Sequence, residues 1–461
     1  MPLRQANMEA ARQAGDRRLE AVSLNALGVL HRERADYGPA LELYRTALDL
    51  ARAAVLPDVE FSAMYNIAQV DSDQGAYERA LQLFTQARQL AERRQAKHEM
   101  VRIYGEMGNL YRCLGRYDDA LAEFVRCRDL ADAIGDDWNR SLMSGNIAVV
   151  HAIRGDFHEA ERLLLGHLAE VTRLGAVRER ATALGNLGLV YKEMGDYGRA
   201  ERCVLEQMAI DRRIGDRLGL SNAHGALGMI NYLTGRPDEA IADLEQQLRI
   251  CEAIGHKRGV SIALSNLGTA HGERGDWPRA LECYQRDTLL SEELGDKGEL
   301  PESYFNLGVA QYETGHTAEG ERLLRRAIEL SRETGNDYYR CNYLAVLAEY
   351  LVAAGRTGET EALAAEAQSL SQATGRTDAL RRAGIALALA HAAADRGRGE
   401  RELRKLLQQA QDDQAKAPLL YELFRLTGGP DYRSAALNVY QRLAAGHAHR
   451  LYLDRIAELK G

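Results

Sequence analysis

The stretch that decides the fold is residues 181–215, ATALGNLGLVYKEMGDYGRAERCVLEQMAIDRRIG. Apolar residues recur at three- and four-residue spacing in its first third, which predicts a helix. Gly195 and Asp196 then form a turn, because glycine tolerates the left-handed conformation that ends a helix and aspartate caps the next one. A longer second helix is predicted over 197–214, and Gly215 ends it. The stretch is therefore predicted to form two antiparallel helices.

This unit repeats every 40 residues along the chain, without insertion or deletion between Gly15 and Gly375. One helix pair cannot bury its own apolar face, so neighbouring pairs must stack. The sequence therefore predicts an all-α fold, a solenoid of about ten or eleven stacked antiparallel helix pairs without strands. Two glycine series and one alanine series keep the period: Gly115, Gly155, Gly195, Gly235, Gly275, Gly315 and Gly355; Gly135, Gly175, Gly215, Gly255, Gly295, Gly335 and Gly375; and Ala40, Ala80, Ala120, Ala160, Ala200, Ala240 and Ala280.

The repeat resembles the tetratricopeptide repeat of the 40-residue type. Leu-Gly-Asn stands unaltered at 184–186, so the chain is similar to Leu-Gly-Asn-repeat adaptors, to kinesin light chains and to bacterial regulators built from this repeat. The resemblance covers about residues 15–380 and implies a right-handed superhelix with first helices on its concave side. The pattern of Leu-Gly, alanine, aromatic and alanine stands as Leu27-Gly28, Ala40, Tyr44 and Ala47, and as Leu267-Gly268, Ala280 and Tyr284, with Asp287 replacing the last alanine.

The chain divides into three parts by the regularity of its spacing. Residues 1–14 match a lone second helix, residues 15–380 are the regular array of about nine repeats, and residues 381–461 hold irregular, degenerate pairs and a capping helix over 447–459. The first segment either caps the array or indicates that the chain is the repeat portion of a longer protein. We favour the second alternative, because terminal caps usually carry a polar outer face of their own.

Composition and motifs exclude several functions. The net charge of −8 disfavours a general nucleic-acid coat, which needs clustered lysine and arginine. No stretch approaches the apolar length of a membrane span, and the start lacks the apolar core of a signal peptide. The sequence has no phosphate-binding loop, nucleophile elbow or His-Glu-x-x-His motif. The excess of arginine over lysine and the abundance of alanine favour a bacterial source. We expect a cytoplasmic protein that is not an enzyme, has no cofactor or metal, and binds neither nucleic acid nor membrane directly.

The family resemblance implies which positions of each unit face the concave groove. The sixth position is an asparagine in five units, and an asparagine amide can pair with a peptide group as donor and as acceptor. The alternative is that it caps or bridges neighbouring first helices. The fifth position is small, at Gly105, Gly145, Gly185, Gly225 and Ser265, so that either a ligand or the next helix comes close there. The asparagines are Asn66, Asn146, Asn186, Asn266 and Asn306.

Acids and aromatics complete the predicted site. From Glu273 onward the groove positions hold four acids and no base, which favours a basic or amphipathic protein or peptide partner. We therefore expect a protein–protein interaction scaffold that holds a peptide or partner segment, as the sensor or partner-binding part of a bacterial regulator. The alternatives are a receptor for a short signalling peptide that controls a fused upstream or associated DNA-binding or effector domain, and a self-assembling structural element. The further predicted residues are Glu273, Glu302, Glu313, Glu349, Tyr232, Phe305 and Tyr312.

Overall fold

The computed structural model describes residues 2–34, 36–295, 298–446 and 450–461. Within these ranges the chain is helical and contains no strand. The helices are α1 (Pro2–Ala14), α2 (Arg17–Arg32), α3 (Tyr37–Ala53), α4 (Pro57–Asp73), α5 (Tyr77–Arg93), α6 (Lys97–Cys113), α7 (Tyr117–Ala133), α8 (Asp137–Ile153), α9 (Phe157–Arg173), α10 (Val177–Glu193), α11 (Tyr197–Ile214), α12 (Arg217–Leu233), α13 (Pro237–Ile254), α14 (Lys257–Glu273), α15 (Trp277–Leu294), α16 (Leu300–Glu313), α17 (Thr317–Glu333), α18 (Asp337–Ala353), α19 (Thr357–Thr374), α20 (Thr377–Ala394), α21 (Arg396–Gln409), α22 (Asp413–Thr427), α23 (Pro430–Gly446) and α24 (Arg450–Lys460).

The order of the helices confirms the predicted solenoid of helix pairs. Eleven pairs, from α2–α3 to α22–α23, follow the single helix α1 and precede α24. In each pair the even-numbered helix is the first helix and the odd-numbered helix is the second. No helix in the described ranges is long and apolar enough to cross a membrane.

The turn at residue 195 shows how the sequence sets the helix boundaries. Gly195 has a φ of +77°, in the left-handed region that glycine adopts most easily. The backbone N–H of Arg199 donates to Oδ1 of Asp196 at 2.9 Å, so the aspartate caps the second helix as predicted. The predicted second helix over 197–214 is confirmed by α11.

The structure forms two compact units, residues 1–203 and 204–461, and the division lies inside α11. The N-terminal unit and the C-terminal unit are described separately below. The predicted domain limits near residues 14 and 380 remain predictions. Helix α1 lies within the predicted first segment, whose Met1 is outside the described residues. The closing helix begins at Arg450, and His447, where we predicted its start, is also outside them.

Glycine on the first helix lets the two helices of a pair approach closely. A Cβ added to Gly28, Gly108 or Gly268 would lie 2.5 Å from a ring atom of Tyr44, Phe124 or Tyr284 on the second helix. These rings are 5% exposed or less. The Leu-Gly pattern therefore has a packing cause, because the ring occupies the space that a larger first-helix residue would need.

At 80 and 40 residues before Gly135, the turn that elsewhere has a glycine of the second series has another residue, which fits the turn poorly. Val55 and Gln95 have φ values of +54° and +53°, in the left-handed region that costs an L-residue with a Cβ about 1–2 kcal/mol. Val55 is also 82% exposed, so packing does not compensate. We expect Val55→Gly to raise the free energy of unfolding of the N-terminal unit by about 1 kcal/mol, after the larger unfolded-state entropy of glycine is subtracted. Urea denaturation measures the difference.

The matched control for this change is Gly135→Val, which places valine at the equivalent turn two repeats later. Gly135 has a φ of +73°, and an added Cβ would have no neighbour within 4 Å, so that only the backbone conformation matters. The control should lower the stability of the same unit by at least 1 kcal/mol, as an order-of-magnitude figure. Equal stability of the two variants and the wild type would show that these turns are not strained.

Candidate partner-binding surface

The five predicted asparagines occupy equivalent places on first helices, and all are half-buried. The N-terminal unit carries Asn66, Asn146 and Asn186, on α4, α8 and α10; the C-terminal unit carries Asn266 and Asn306, on α14 and α16. The Asn306 amide donates to Oγ of Ser265 at 3.4 Å, which is the bridging role between first helices. Among the described residues, the other four amides make no hydrogen bond to protein. They are therefore available to a partner.

The glycines at the fifth position have a structural cause in the described residues. A Cβ on Gly145 would lie 3.0 Å from the His167 ring, and one on Gly225 would lie 2.7 Å from the Gln247 amide. His167 and Gln247 lie on second helices, at a position where the repeat usually has alanine. Gly145 and Gly225 therefore make room for a larger side chain of the next helix, which at these two positions favours the next helix over a ligand as the cause of the close approach.

In the N-terminal unit, charges on neighbouring first helices neutralise one another. Nε of Arg32 donates to Asp73 at 2.7 Å, and the same guanidinium also donates to Gln69. The Tyr65 hydroxyl donates to Glu106 at 2.8 Å. These hydrogen bonds connect α2, α4 and α6, and the opposite charges of Arg32 and Asp73 compensate each other.

The predicted acids of the C-terminal unit have different surroundings. Glu302 is exposed, whereas Glu313 accepts a hydrogen bond from the Tyr350 hydroxyl at 3.0 Å. Glu349 lies 3.6 Å from Nε of Arg382, which only partly offsets the burial that raises the pKa of Glu349. Arg382 on α20 corrects our expectation that this region holds no base. The prediction missed it because it lies beyond the regular repeats.

Aromatic side chains of α16 and α18 stack in pairs across neighbouring repeats. The ring centroids of Phe305 and Tyr343 are 4.4 Å apart, and those of Tyr312 and Tyr350 are 3.7 Å apart. Tyr343 and Tyr350 were not predicted, because neither lies at a position that the family pattern assigns to the groove. The predicted aromatics Phe305 and Tyr312 are thus partly covered by the next repeat.

The start of the last helix lies near the turn that follows α14. Carbon Cγ of Arg450 is 3.6 Å from the place of a Cβ on Gly275. Burial, and then the charge of Glu273, raise the pKa of Tyr452. Burial also raises the pKa of Tyr232, and a hydrogen bond to Glu273 adds to this. Glu273 and Tyr232 therefore interact with each other and lie close to α24.

A polar pocket of about 120 Å³ opens between α14, α15 and α16, and it brings predicted residues together. Asn266 and Glu302 line it, as do Ser265 and Asp287. Asp287 is 2% exposed. Its carboxylate accepts hydrogen bonds from nearby serine hydroxyls, which oppose but do not cancel the effect of burial, so that its pKa is raised. We name this cavity the Asp287 pocket; its other lining residues are Arg258, Ser261, Ile262, Ser291, Leu294, Glu299 and Ser303.

The hydroxyls of the Asp287 pocket form one connected network. The Ser261 hydroxyl donates to Oδ1 of Asp287. Ser291 lies 3.1 Å from Ser261 and also 3.1 Å from Ser303, oxygen to oxygen. Hydroxyls both donate and accept, so this network can reorient around a bound group.

Comparisons with known proteins identify the repeat. One sequence model of the tetratricopeptide repeat matches residues 21–58, and another matches overlapping stretches at 59–133, 99–169, 138–213, 179–253, 219–288 and 259–333. Neither model describes an enzyme. No curated protein sequence matches the chain.

Three of the solved structures with a similar fold are matched over 74% or more of this chain. The first is a signal transduction ATPase with numerous domains, with a tetratricopeptide repeat sensor, from Pyrococcus horikoshii: 18% identity, TM-score 0.54, 83% of this chain and 53% of that one. This chain thus spans about half of that protein. The quorum sensor NprR from B. thuringiensis, in its apo form, is 15% identical, with a TM-score of 0.54; the match covers 74% of this chain and 99% of that one. The apo form of RapI is 10% identical, with a TM-score of 0.53; the match covers 78% of this chain and 99% of that one. The family models match most of the chain, and the chain belongs to the tetratricopeptide repeat family.

Proposed function

We propose that this protein is a non-enzymatic scaffold that binds an extended peptide or partner segment along its first helices. The observation that carries the proposal is the set of asparagine amides at equivalent repeat positions. Four of them are half-buried and make no hydrogen bond to another described residue. A peptide backbone offers donors and acceptors at regular intervals, and each amide can satisfy one of each.

The charges of the C-terminal unit support a basic partner. Glu302 is exposed beside Asn266 in the Asp287 pocket, and Glu313 is engaged only by a neutral tyrosine hydroxyl among the hydrogen bonds given above. In the N-terminal unit, by contrast, Arg32 and Asp73 neutralise each other. Complementary charge accelerates encounter and selects partners more than it adds affinity. We therefore place the selection for basic segments on the C-terminal unit.

Two other functions remain open to test. The Pyrococcus horikoshii protein is described as having a repeat sensor and NprR as a quorum sensor, which supports a signalling-peptide receptor that controls a fused or associated DNA-binding or effector domain. Such a receptor would bind a free peptide of a few residues. A self-assembling structural element would instead associate with itself as concentration rises, which sedimentation detects.

The test uses an array of fluorescent twelve-residue peptides of graded net charge, with fluorescence anisotropy as the readout. Basic peptides should bind and acidic ones should not. Removal of one amide leaves a peptide group unpaired at a cost of about 1–3 kcal/mol, so Asn266→Ala should weaken every bound peptide by roughly 5–150-fold. Gln285→Ala is the control, because Gln285 is an exposed amide on the second helix α15.

The outcomes separate the binding surface from a general effect on the fold. Asn266→Ala and Asn146→Ala should both retain the helical content and melting temperature of the wild type, because neither amide bonds to a described residue. A peptide that binds with unchanged affinity to Asn266→Ala, Asn306→Ala and their double variant would exclude the first helices of the C-terminal unit as the site. An array without any binding peptide would contradict the proposed function itself.

A further inference from the structure

The residue at the bottom of the Asp287 pocket is the one acid at its place in the nine regular repeats, where alanine, cysteine, histidine and glutamine also occur. The equivalent second-helix position is alanine in the two following repeats, at Ala327 and Ala367, and both alanines are fully buried. Asp287 is 2% exposed at the same depth. A buried carboxyl group costs free energy unless a cation or several hydrogen bonds compensate. Serine hydroxyls supply part of this compensation, and because they do not cancel the effect of burial, the pKa of Asp287 remains raised.

The described neighbours of Asp287 supply hydroxyls rather than positive charge. Ser261 donates to its carboxylate, and Ser291 and Ser303 also act on it through hydrogen bonds. The charged group that acts on it is Glu299, which is another acid. The Arg258 guanidinium lies at the same pocket but donates to Glu299 at 3.1 Å. Three carboxyl groups, those of Asp287, Glu299 and Glu302, thus share the pocket with one guanidinium, and this balance favours a cation.

The size of the pocket selects a small group. A volume of about 120 Å³ is several times the space of about 10–15 Å³ that one water molecule requires. This is enough for the end of one lysine or arginine side chain and too little for a whole folded element. Serine at positions 261, 265, 291 and 303 keeps the walls small and polar, so that their hydroxyl oxygens can accept from the N–H groups of a cation.

We infer that the Asp287 pocket is a subsite for one cationic group of the bound segment, either a lysine or arginine side chain or a free N-terminal ammonium. The inference rests on the proposed function, because the segment that delivers the cation is the one held by Asn266 at the rim of the same pocket. Asn266 would contact the backbone of that segment, while Asp287 with its serines would contact the cation. One repeat would then both hydrogen-bond the backbone of the segment and select its positive charge.

The experiment removes the positive charges of the tightest-binding peptide of the array one at a time. The affinity of each altered peptide is measured for the wild type and for Asp287→Asn. Each lysine or arginine is replaced by norleucine, which keeps an aliphatic chain and removes the cationic group, and the N-terminus is tested free and acetylated. One position should dominate, with at least a tenfold loss of affinity in the wild type. That loss should fall below threefold in Asp287→Asn, while the norleucine peptide binds both proteins equally. The position found identifies the source of the cation.

Stability measurements distinguish a binding role from a structural one. Because burial raises the pKa of Asp287, its ionised form is disfavoured in the folded state, and stability is lost as the pH rises through the window above the unfolded pKa of 3.8. Asp287→Asn removes this loss and keeps hydrogen bonding to the serines, so it should melt no lower than the wild type at pH 7. If Asp287→Asn does not fold, Asp287→Ala, which matches Ala327 and Ala367, replaces it.

The result can overturn the subsite without touching the proposed function. Suppose that Asn266→Ala weakens all peptides while the removal of each positive charge from the peptide costs the same affinity in Asp287→Asn as in the wild type. In that case the proposed scaffold function is supported and the cation subsite is wrong. Equal weakening of lysine and norleucine peptides by Asp287→Asn, with a lower melting temperature, would likewise assign Asp287 a structural role. If no peptide binds at all, the proposed function and the subsite both fail.

Discussion

Leucine in place of Gly108 is expected to lower the free energy of unfolding of the N-terminal unit by about 3 kcal/mol, at the upper end for overpacked cores. A Cβ on Gly108 would lie 2.5 Å from two ring atoms of Phe124. The ring cannot move aside, because Phe124 is fully buried in a cluster with Val101, Cys127 and Met143. The first and second helices of this pair, α6 and α7, would have to separate. Urea denaturation gives the size of the effect.

The control for this prediction is Gly166→Ala, on the second helix α9. An added Cβ there has no neighbour within 4 Å, so only the helix propensity changes, and stability should rise by about 0.5–1 kcal/mol. Hydrogen exchange of Gly108→Leu adds a spatial test, since each repeat is stabilised mainly by its neighbours. Protection should fall in α6, α7 and α8 and persist in the C-terminal unit. A uniform loss along the chain would contradict the local picture.

The sequence predicted the helices well because each boundary has a local cause. Gly195 adopts the left-handed conformation and Asp196 caps α11, and both effects depend on residues a few positions apart. The 40-residue period then predicts stacking, since every unit presents the same small and large residues at the same places. Val55 and Gln95 show the limit of this reasoning. The repeat imposes its turn even where the local residue disfavours it.

The Asp287 pocket could not be predicted in the same way. The sequence shows an aspartate where alanine is usual, but the pocket also needs Ser261, Ser291 and Ser303, which lie on α14, α15 and α16. Their convergence depends on how three helices pack and on which rotamers their side chains adopt. For the same reason the contacts of Glu313 with Tyr350 and of Glu349 with Arg382 became visible only in the structure.

In several repeats, the size of the residue at the fifth position of the first helix varies inversely with the size of the residue that it contacts on the second helix. In two repeats the second helix has alanine, Ala87 or Ala327, and the first helix has a large aromatic residue, Tyr65 or Phe305, in the same hydrophobic cluster. In three other repeats the second helix has a larger residue and the first helix has glycine. Gly105 with Cys127, Gly145 with His167 and Gly225 with Gln247 are the pairs in contact. The total volume at the helix contact is thereby kept, which is what a closely packed core requires.

This inverse relation of sizes predicts that a damaging substitution can be rescued by a second one. Gly145→Phe should lower the stability of the N-terminal unit by about 3 kcal/mol, because the phenyl ring would occupy the place of the His167 ring, 3.0 Å from the new Cβ. His167→Ala alone should also destabilise, since it opens a cavity and removes the 2.9 Å contact between His167 Nδ1 and the Ser141 hydroxyl.

The double variant Gly145→Phe/His167→Ala recreates the combination of Phe305 with Ala327, and we expect it to recover most of the stability lost by Gly145→Phe. The coupling energy in a double-mutant cycle should be about 2 kcal/mol in the favourable direction, within the range for residues in contact. Gly145→Phe combined with Phe84→Leu, a change two repeats away, should instead be additive. If the His167 double variant is merely additive as well, the two positions do not share one packing space, and the glycine at position 145 must serve something else that approaches α8.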